Sequence, residues 1–467
     1  MTADGLRLAP FRGLRYAPER VSSLAAVTSP PYDVVVRPDG LHHLETADPY
    51  NIVRLILPQA DDPGTRHRKA AETLRRWLAD GVLAPDPEPA LYVYEQRRGD
   101  VLQRGLIGAL LLSPPEEGVV LPHEEVIAEV VEDRAALMRA TAAHPEPLLL
   151  SYRSRGSSTG ATAVIERATH REPLLATTTE DGFAHRLWAV TDPAELAEVD
   201  GDLSHRRALI ADGHHRWATY LRLRAEHADG DANGNGNGSG SATGNGNGTA
   251  PSTHNGAPTP VNAAGAGASA PVGSPWNYGL VLLVDTARYP LQVHAIHRVL
   301  PRLPLKQALD AVELAGAFRV RKLEMPLERA MAVLDATPGN AFLLTEGEGT
   351  FHLLDEPSPA LLDRTVDGAR PEAWRGLDAT VLHSALLDGV WGVPDRPSDI
   401  GYLHDTRAAV EQAVHHGGTA VLMRAVREET VRELAERGIT MPRKSTSFGP
   451  KPATGLVLRA LDNGAAN

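Results

Sequence analysis

Cysteine is absent from the 467 residues. Disulfides, thiolate nucleophiles and zinc–thiolate centres are therefore excluded. Positive charge is in short supply: 47 Lys and Arg stand against 59 Asp and Glu, for a net charge of -12. A surface that tracks nucleic-acid phosphates needs a basic balance, so no nucleic-acid partner is expected, although a small basic pocket stays open. Long apolar runs are missing as well. No stretch of about 18 apolar residues reads as a membrane span, and Met1-Thr-Ala-Asp-Gly-Leu-Arg7 lacks the apolar core of a secretion signal. The expectation is a cytoplasmic protein with no membrane partner. What remains is ordinary: 42% hydrophobic and 23% charged residues, in a chain long enough for two or three domains.

The centre of the chain is Arg207-Ala-Leu-Ile-Ala-Asp-Gly-His-His-Arg-Trp217. Ala208 to Ala211 form the short apolar run of a buried strand, and Asp212-Gly213 is a turn signal in which Gly213 can take positive φ. Trp217, Tyr220, Leu221 and Arg224 then recur at helical spacing, which makes Asp212 the expected N-cap. A helix N-terminus with His214, His215 and Arg216 beside it is an anion site in outline, most naturally for phosphate.

Upstream, Pro30-Pro31 forces an extended approach and presents Tyr32-Asp33 at a turn before an expected strand Val34–Val36. Asp33 there is a candidate base or metal ligand, or a simple turn cap. Ile52–Leu57 reads as a buried strand carrying Arg54, and 65–80 as an amphipathic helix. Leu91–Glu95 and Leu106–Leu112 read as a hairpin. His123-Glu124 closes an extended segment and is a candidate acid–base or metal pair. From 229 to 274 the composition collapses to Gly, Asn, Ser, Thr, Ala and Pro, which predicts a disordered insert. Beyond it, Tyr278–Asp285 is an apolar strand, and Leu291–Leu300 alternates so as to place His294 opposite His297. Leu377–Gly392 reads as a helix bearing His383. Residues 400–437 alternate as strand, helix, strand and helix. The tail Met441-Pro-Arg-Lys-Ser-Thr-Ser-Phe-Gly-Pro-Lys-Pro452 is a proline-punctuated loop whose Lys444, Ser445 and Thr446 could wrap a phosphate. The preceding Gly-rich spacing of a Walker loop is missing.

Pro10-Phe-Arg12, Pro31-Tyr-Asp-Val34, Val53-Arg-Leu55, Leu121-Pro-His-Glu124, Asp133-Arg134, His185-Arg-Leu-Trp188, Ala211-Asp-Gly-His-His-Arg216, His297-Arg298, Met441-Pro-Arg-Lys-Ser-Thr446 and Pro450-Lys451 together resemble an uncharacterised bacterial family named domain of unknown function 1015. The likeness runs from about residue 8 to 458. The sequence departs from it at Trp217, where tyrosine is usual, between Glu125 and Asp133, where threonine and lysine are usual, and in the long insert. The Asp-Gly-His-His-Arg turn is also similar to the Gly-His-Arg turn of the ParB/sulfiredoxin-type fold, some relatives of which are kinases of free serine.

That resemblance implies an α+β fold: a mixed-sheet N-terminal part over 1–228 with the ParB-like element, the insert at 229–274, and an α/β part over 275–467 that completes the site. It implies that Gly213 permits close phosphate approach and that His214, His215 and Arg216 contact the phosphates, with Asp212 in the same cofactor-binding turn; Lys444, Ser445 and Thr446 of the tail loop are expected to face the same pocket. Asp33 or Glu124 would activate a hydroxyl or hold Mg²⁺. The expected activity is transfer of a phosphoryl group from a nucleotide, ATP or ADP, to serine or a similar hydroxyl metabolite. A phosphatase using the same groups, or a non-enzymatic nucleotide- or metabolite-binding regulator, is the alternative.

Overall fold

The computed structural model describes residues 5–35, 38–154, 159–234, 273–396 and 398–461. The predicted disordered insert falls outside the described residues from 235 to 272.

The largest sheet has nine strands. From one edge it runs Val120–Leu121, Ala208–Asp212, Leu148–Tyr152, Tyr278–Asp285, Val101–Leu111, Leu91–Arg98, Ala184–Val190 and Leu175–Thr178, with Leu8–Ala9 added against Val101–Leu111. Two neighbouring pairs are parallel, 120–121 with 208–212 and 148–152 with 278–285, and the rest are antiparallel. This is the mixed sheet of an α+β fold. The strand that follows the insert lies in its middle, so the sheet draws on both sides of the expected 228/275 boundary.

A second sheet is antiparallel throughout, in the order Arg319–Glu324, Thr350–Asp355, Phe342–Thr345, Thr419–Leu422, His297–Leu300 and Gly401–Leu403. Successive strand residues point to opposite faces. Phe342 and Leu344 accordingly join one apolar core with the helix Leu305–Leu314, while Leu343 joins another with the helices Leu327–Ala336 and Thr406–His416. A small sheet ties the chain ends together: Leu83–Pro85, Gly13–Tyr16, Leu458–Ala460 and Ala143–His144.

Three local expectations are corrected, and a fourth, the helix bearing His383, is present and refined. Ile52–Leu57 holds a short helix, Val53–Ile56, because buried Asn51 accepts from Val53 N (2.9 Å) while donating to Ala26 O and Thr28 O. A short apolar run does not distinguish a buried strand from a buried helix. Val34 lies in a turn, its N–H bonded to Pro31 O at 2.9 Å, and Val36 is outside the described residues. Leu291–Leu300 is not one strand: Gln292–His294 pairs with Ser447–Gly449, whereas His297–Leu300 enters the six-stranded sheet, so His294 and His297 part company. The helix after Leu377 widens from an α-turn, Asp378–Val381, to a π-helix, Leu382–Val390.

Candidate functional site

Parallel pairing sets the first two carboxylates side by side. Leu209 is in register with Leu121, so three residues further on Asp212 and Glu124 leave the same end of the sheet. Asp212 is still strand, and Gly213 is the hinge into the helix His214–Gly234. Its φ of 100° and the 2.4 Å gap between a built Cβ and Leu148 Cδ2 leave room for glycine only. Asp212 was expected as the N-cap. It ends the strand instead, and its carboxylate is taken by two side-chain cations.

One is Arg216, whose Nη2 lies 2.6 Å from Asp212 Oδ2 and whose Nη1 donates to Pro147 O at 2.8 Å. Arg216 is 1% exposed, so it faces inward beneath the turn rather than outward. Its guanidinium stands 5.8 Å from the Tyr32 ring, and the Tyr32 N–H donates to buried Glu146. Asp212, Tyr32 and Glu146 thus share one buried cation.

The other is Lys451. Its ammonium lies 2.5 Å from both Asp33 Oδ2 and Asp212 Oδ1. Burial opposes the charge on Asp33, but Lys451 and Arg216 outweigh it and hold the carboxyl below its ordinary value. Lys451 is seated by the large sheet: Gln96 and Gln103 donate to Pro450 O at 3.0 and 3.1 Å, and Tyr94 Oη accepts from Ala453 N at 3.2 Å.

The rest of the C-terminal loop crosses the same end of the sheet. Met441 N donates to His123 O at 2.8 Å, and His123 Nε2 stands 3.0 Å from Thr446 Oγ1. Ser445 is buried, its hydroxyl bonded to Pro442 O. Lys444 is exposed and sits at φ 58°; among the described residues its ammonium has no hydrogen-bond or ion-pair partner. Its charge reaches both Glu124 and His215. The loop and the Asp-Gly-His-His-Arg turn therefore form one neighbourhood.

Among the described residues, Glu124 is a carboxylate with no cation in contact, supported by the backbone N–H of Thr446. Its Oε1 is buried without a hydrogen-bond partner. Burial pushes the carboxyl up to about 7, opposed by Lys444 and reinforced by Asp212. The histidines are held neutral. Burial takes His123 down to about 3 and His214 well below its ordinary value, and the two rings meet edge to face at 4.4 Å. His214 Nε2 accepts from His123 N and His215 Nε2 from Ile127 N, so each ring offers an acceptor to the backbone. Among the described residues no three His, Asp or Glu side chains converge as a metal-holding group.

The six-stranded body adds residues that sequence reasoning had left unassigned. Fully buried Arg298 donates through Nη2 to Lys444 O and to His383 Nε2, each at 3.0 Å, and lies 5.0 Å from the Tyr402 ring. His404 faces Lys451, Lys444 and His294, which together with burial disfavour its charged form. Lys451 itself had figured only in the resemblance; its placement between Pro450 and Pro452 was the available signal.

Among solved structures, the chain is similar to a free serine kinase in complex with AMP, at 14% identity over 71% of this chain and 83% of that one, with a TM-score of 0.31. A conserved hypothetical protein from Pyrococcus furiosus gives 14%, 71%, 87% and 0.30 in the same order. A C-terminally truncated SbnI from Staphylococcus aureus gives 9%, 73%, 82% and 0.32. No curated protein matches the chain in sequence. No helix among the described residues is long and apolar enough to cross a membrane. The model of the family described as Protein of unknown function (DUF1015) matches residues 8–380, four-fifths of the sequence, and the chain belongs to that family.

Proposed function

We propose that this site transfers a phosphoryl group from a nucleotide to the hydroxyl of a small metabolite. The observation that carries the reading is the pairing of Glu124, whose buried Oε1 has no partner, with Lys444, the cation that lies within electrostatic reach of it and is itself unpaired among the described residues. Phosphoryl transfer needs a base at the acceptor and positive charge on the phosphate, and little else from the protein. Glu124 takes the hydroxyl proton. A carboxyl that titrates near 7 is half ionised at neutral pH and matched to that task. Lys444 meets the phosphate as a mobile point charge, Thr446 adds a hydroxyl, and the first N–H groups of the helix after Gly213 supply further donors. Asp33 and Asp212, tied by Lys451, wall the site. Mg²⁺, if the donor brings it, is held by the nucleotide's own phosphates.

The test is an assay for phosphorylated product with ATP or ADP as donor and a panel of hydroxyl metabolites headed by serine, comparing the wild type with Glu124→Gln. Transfer to one acceptor, lost in the variant, supports the reading. Release of inorganic phosphate with no acceptor product points to a phosphatase, and nucleotide binding without turnover to a regulator.

A further inference from the structure

Arg298 is an unusual residue to find at the bottom of a core. It is 0% exposed and, among the described residues, touches no carboxylate. Its partners are backbone carbonyls, Ile296 O and Lys444 O, and the ring nitrogen of His383. Burial lowers its pKa to about 10, so a real desolvation cost is being borne there. His383 sits on the π-helix Leu382–Val390; burial and Arg298 keep it neutral, which leaves Nε2 free to accept. Lys444, the residue whose carbonyl Arg298 grips, has a left-handed backbone that a side chain of its size rarely adopts. A strained conformation persists only where its surroundings hold it.

From this arrangement we infer that Arg298 and His383 are positioning residues, a clamp from the six-stranded body that fixes Lys444 in its left-handed conformation and so aims its ammonium at Glu124. The two lysines of the loop are then set by different parts of the molecule. Lys451 is seated by Gln96, Gln103 and Tyr94 of the large sheet, and Lys444 by Arg298 and His383 of the smaller body. The spacing between the two charges records how the bodies are docked.

The inference rests on the phosphotransfer reading for its purpose but not for its test. Trypsin cuts beside Lys and Arg, and cutting requires an open loop, so cleavage on either side of Lys444 reports the clamp without any turnover. In Arg298→Ala that cleavage should quicken about tenfold or more, because proteolysis tracks the population of the open form, while cleavage elsewhere keeps its wild-type rate. His383→Phe, which removes one partner and no charge, is the second variant and should act in the same direction more weakly; Arg298→Lys should restore part of the protection. Unchanged cleavage at Lys444, or acceleration spread evenly along the chain, overturns the clamp. Where transfer is measurable, Arg298→Ala should lower kcat, and should add little once Lys444→Ala is already present. Fully additive losses would also overturn it. A wild type that transfers no phosphate would sink the functional reading and leave the proteolysis result standing.

Discussion

Lys451→Met removes the cation shared by Asp33 and Asp212 while keeping most of the side chain's volume. Both contacts are 2.5 Å, and the three side chains are 19%, 35% and 10% exposed respectively. Removing one partner of a fully buried pair costs roughly 3–5 kcal/mol, and losing an exposed pair about 0–1 kcal/mol. Here Asp212 keeps Arg216 at 2.6 Å, and Asp33 is open enough to take water. The expected loss is therefore intermediate, about 2–3 kcal/mol. Urea titration reads it as a lower midpoint at unchanged slope. The pH dependence carries the sharper test. Asp33 is held below its ordinary value in the folded state. Its contribution is present above the unfolded carboxyl value of about 3.9 and is lost as pH falls through the folded one. Lys451 is raised, so its contribution is full below its unfolded value and lost only as pH climbs through the folded one, far into alkali. The gap between wild type and variant should be flat around neutrality. It should narrow towards about pH 4, where protonation of Asp33 relieves the variant first. A gap that is the same in acid as at neutrality, or a variant as stable as the wild type at pH 7, would refute the bridge.

Four more outcomes are expected. Transfer should rise through about pH 7 as Glu124 loses its proton, and a rate that is flat across that range would remove Glu124 from the chemistry. Arg216→Ala strands Asp212 and Glu146 around an empty space and should cost roughly 3–5 kcal/mol of stability. By contrast, exposed Lys444→Ala should leave the melting curve alone while weakening nucleotide binding by about ten- to a hundredfold, read by calorimetry. Replacing 235–272 with a short Gly-Ser linker should leave the melting temperature unchanged, since His227 and Trp276, on either side of the insert, stack at 4.0 Å; a fall of many degrees would show that the insert packs.

Much of the frame could be read from residue patterns. Alternation and apolar runs predict the hairpin of Leu91–Arg98 and Val101–Leu111 and the strand Tyr278–Asp285, and Asp-Gly marks the turn beside the site. Patterns failed where a long-range partner decides. Ile52–Leu57 is helical because Asn51 is anchored to the chain at Ala26 and Thr28. Leu291–Leu300 splits because its two halves find different sheets. The strand Arg319–Glu324 carries charges on a solvent-facing edge and has no apolar alternation to announce it. At the site, residue types identified Asp33, Glu124 and Lys444 as groups with chemistry to offer. They did not reveal that Arg216 points inward or that Lys451 joins two carboxylates, because burial and pairing across hundreds of residues leave no local trace.

Among the described residues, the charges at this end of the sheet form a ledger with one cation over. Arg216 is absorbed by Asp212 and Glu146, Lys451 by Asp33 and Asp212, and Arg443 by Asp395 at 3.3 Å. Arg298 is sealed in the core, so it shapes the loop without meeting a ligand. Lys444 is what remains, beside a glutamate that burial keeps half protonated near neutrality. In a chain of net charge -12 the overall field does not draw an anionic ligand, so a single unpaired ammonium carries disproportionate weight in attracting one. The carboxylates that neutralise the other cations serve that end. They keep Lys451 and Arg216 fixed and leave the Lys444 ammonium, on its held backbone, as the charge that the proposed transfer would set against the phosphate.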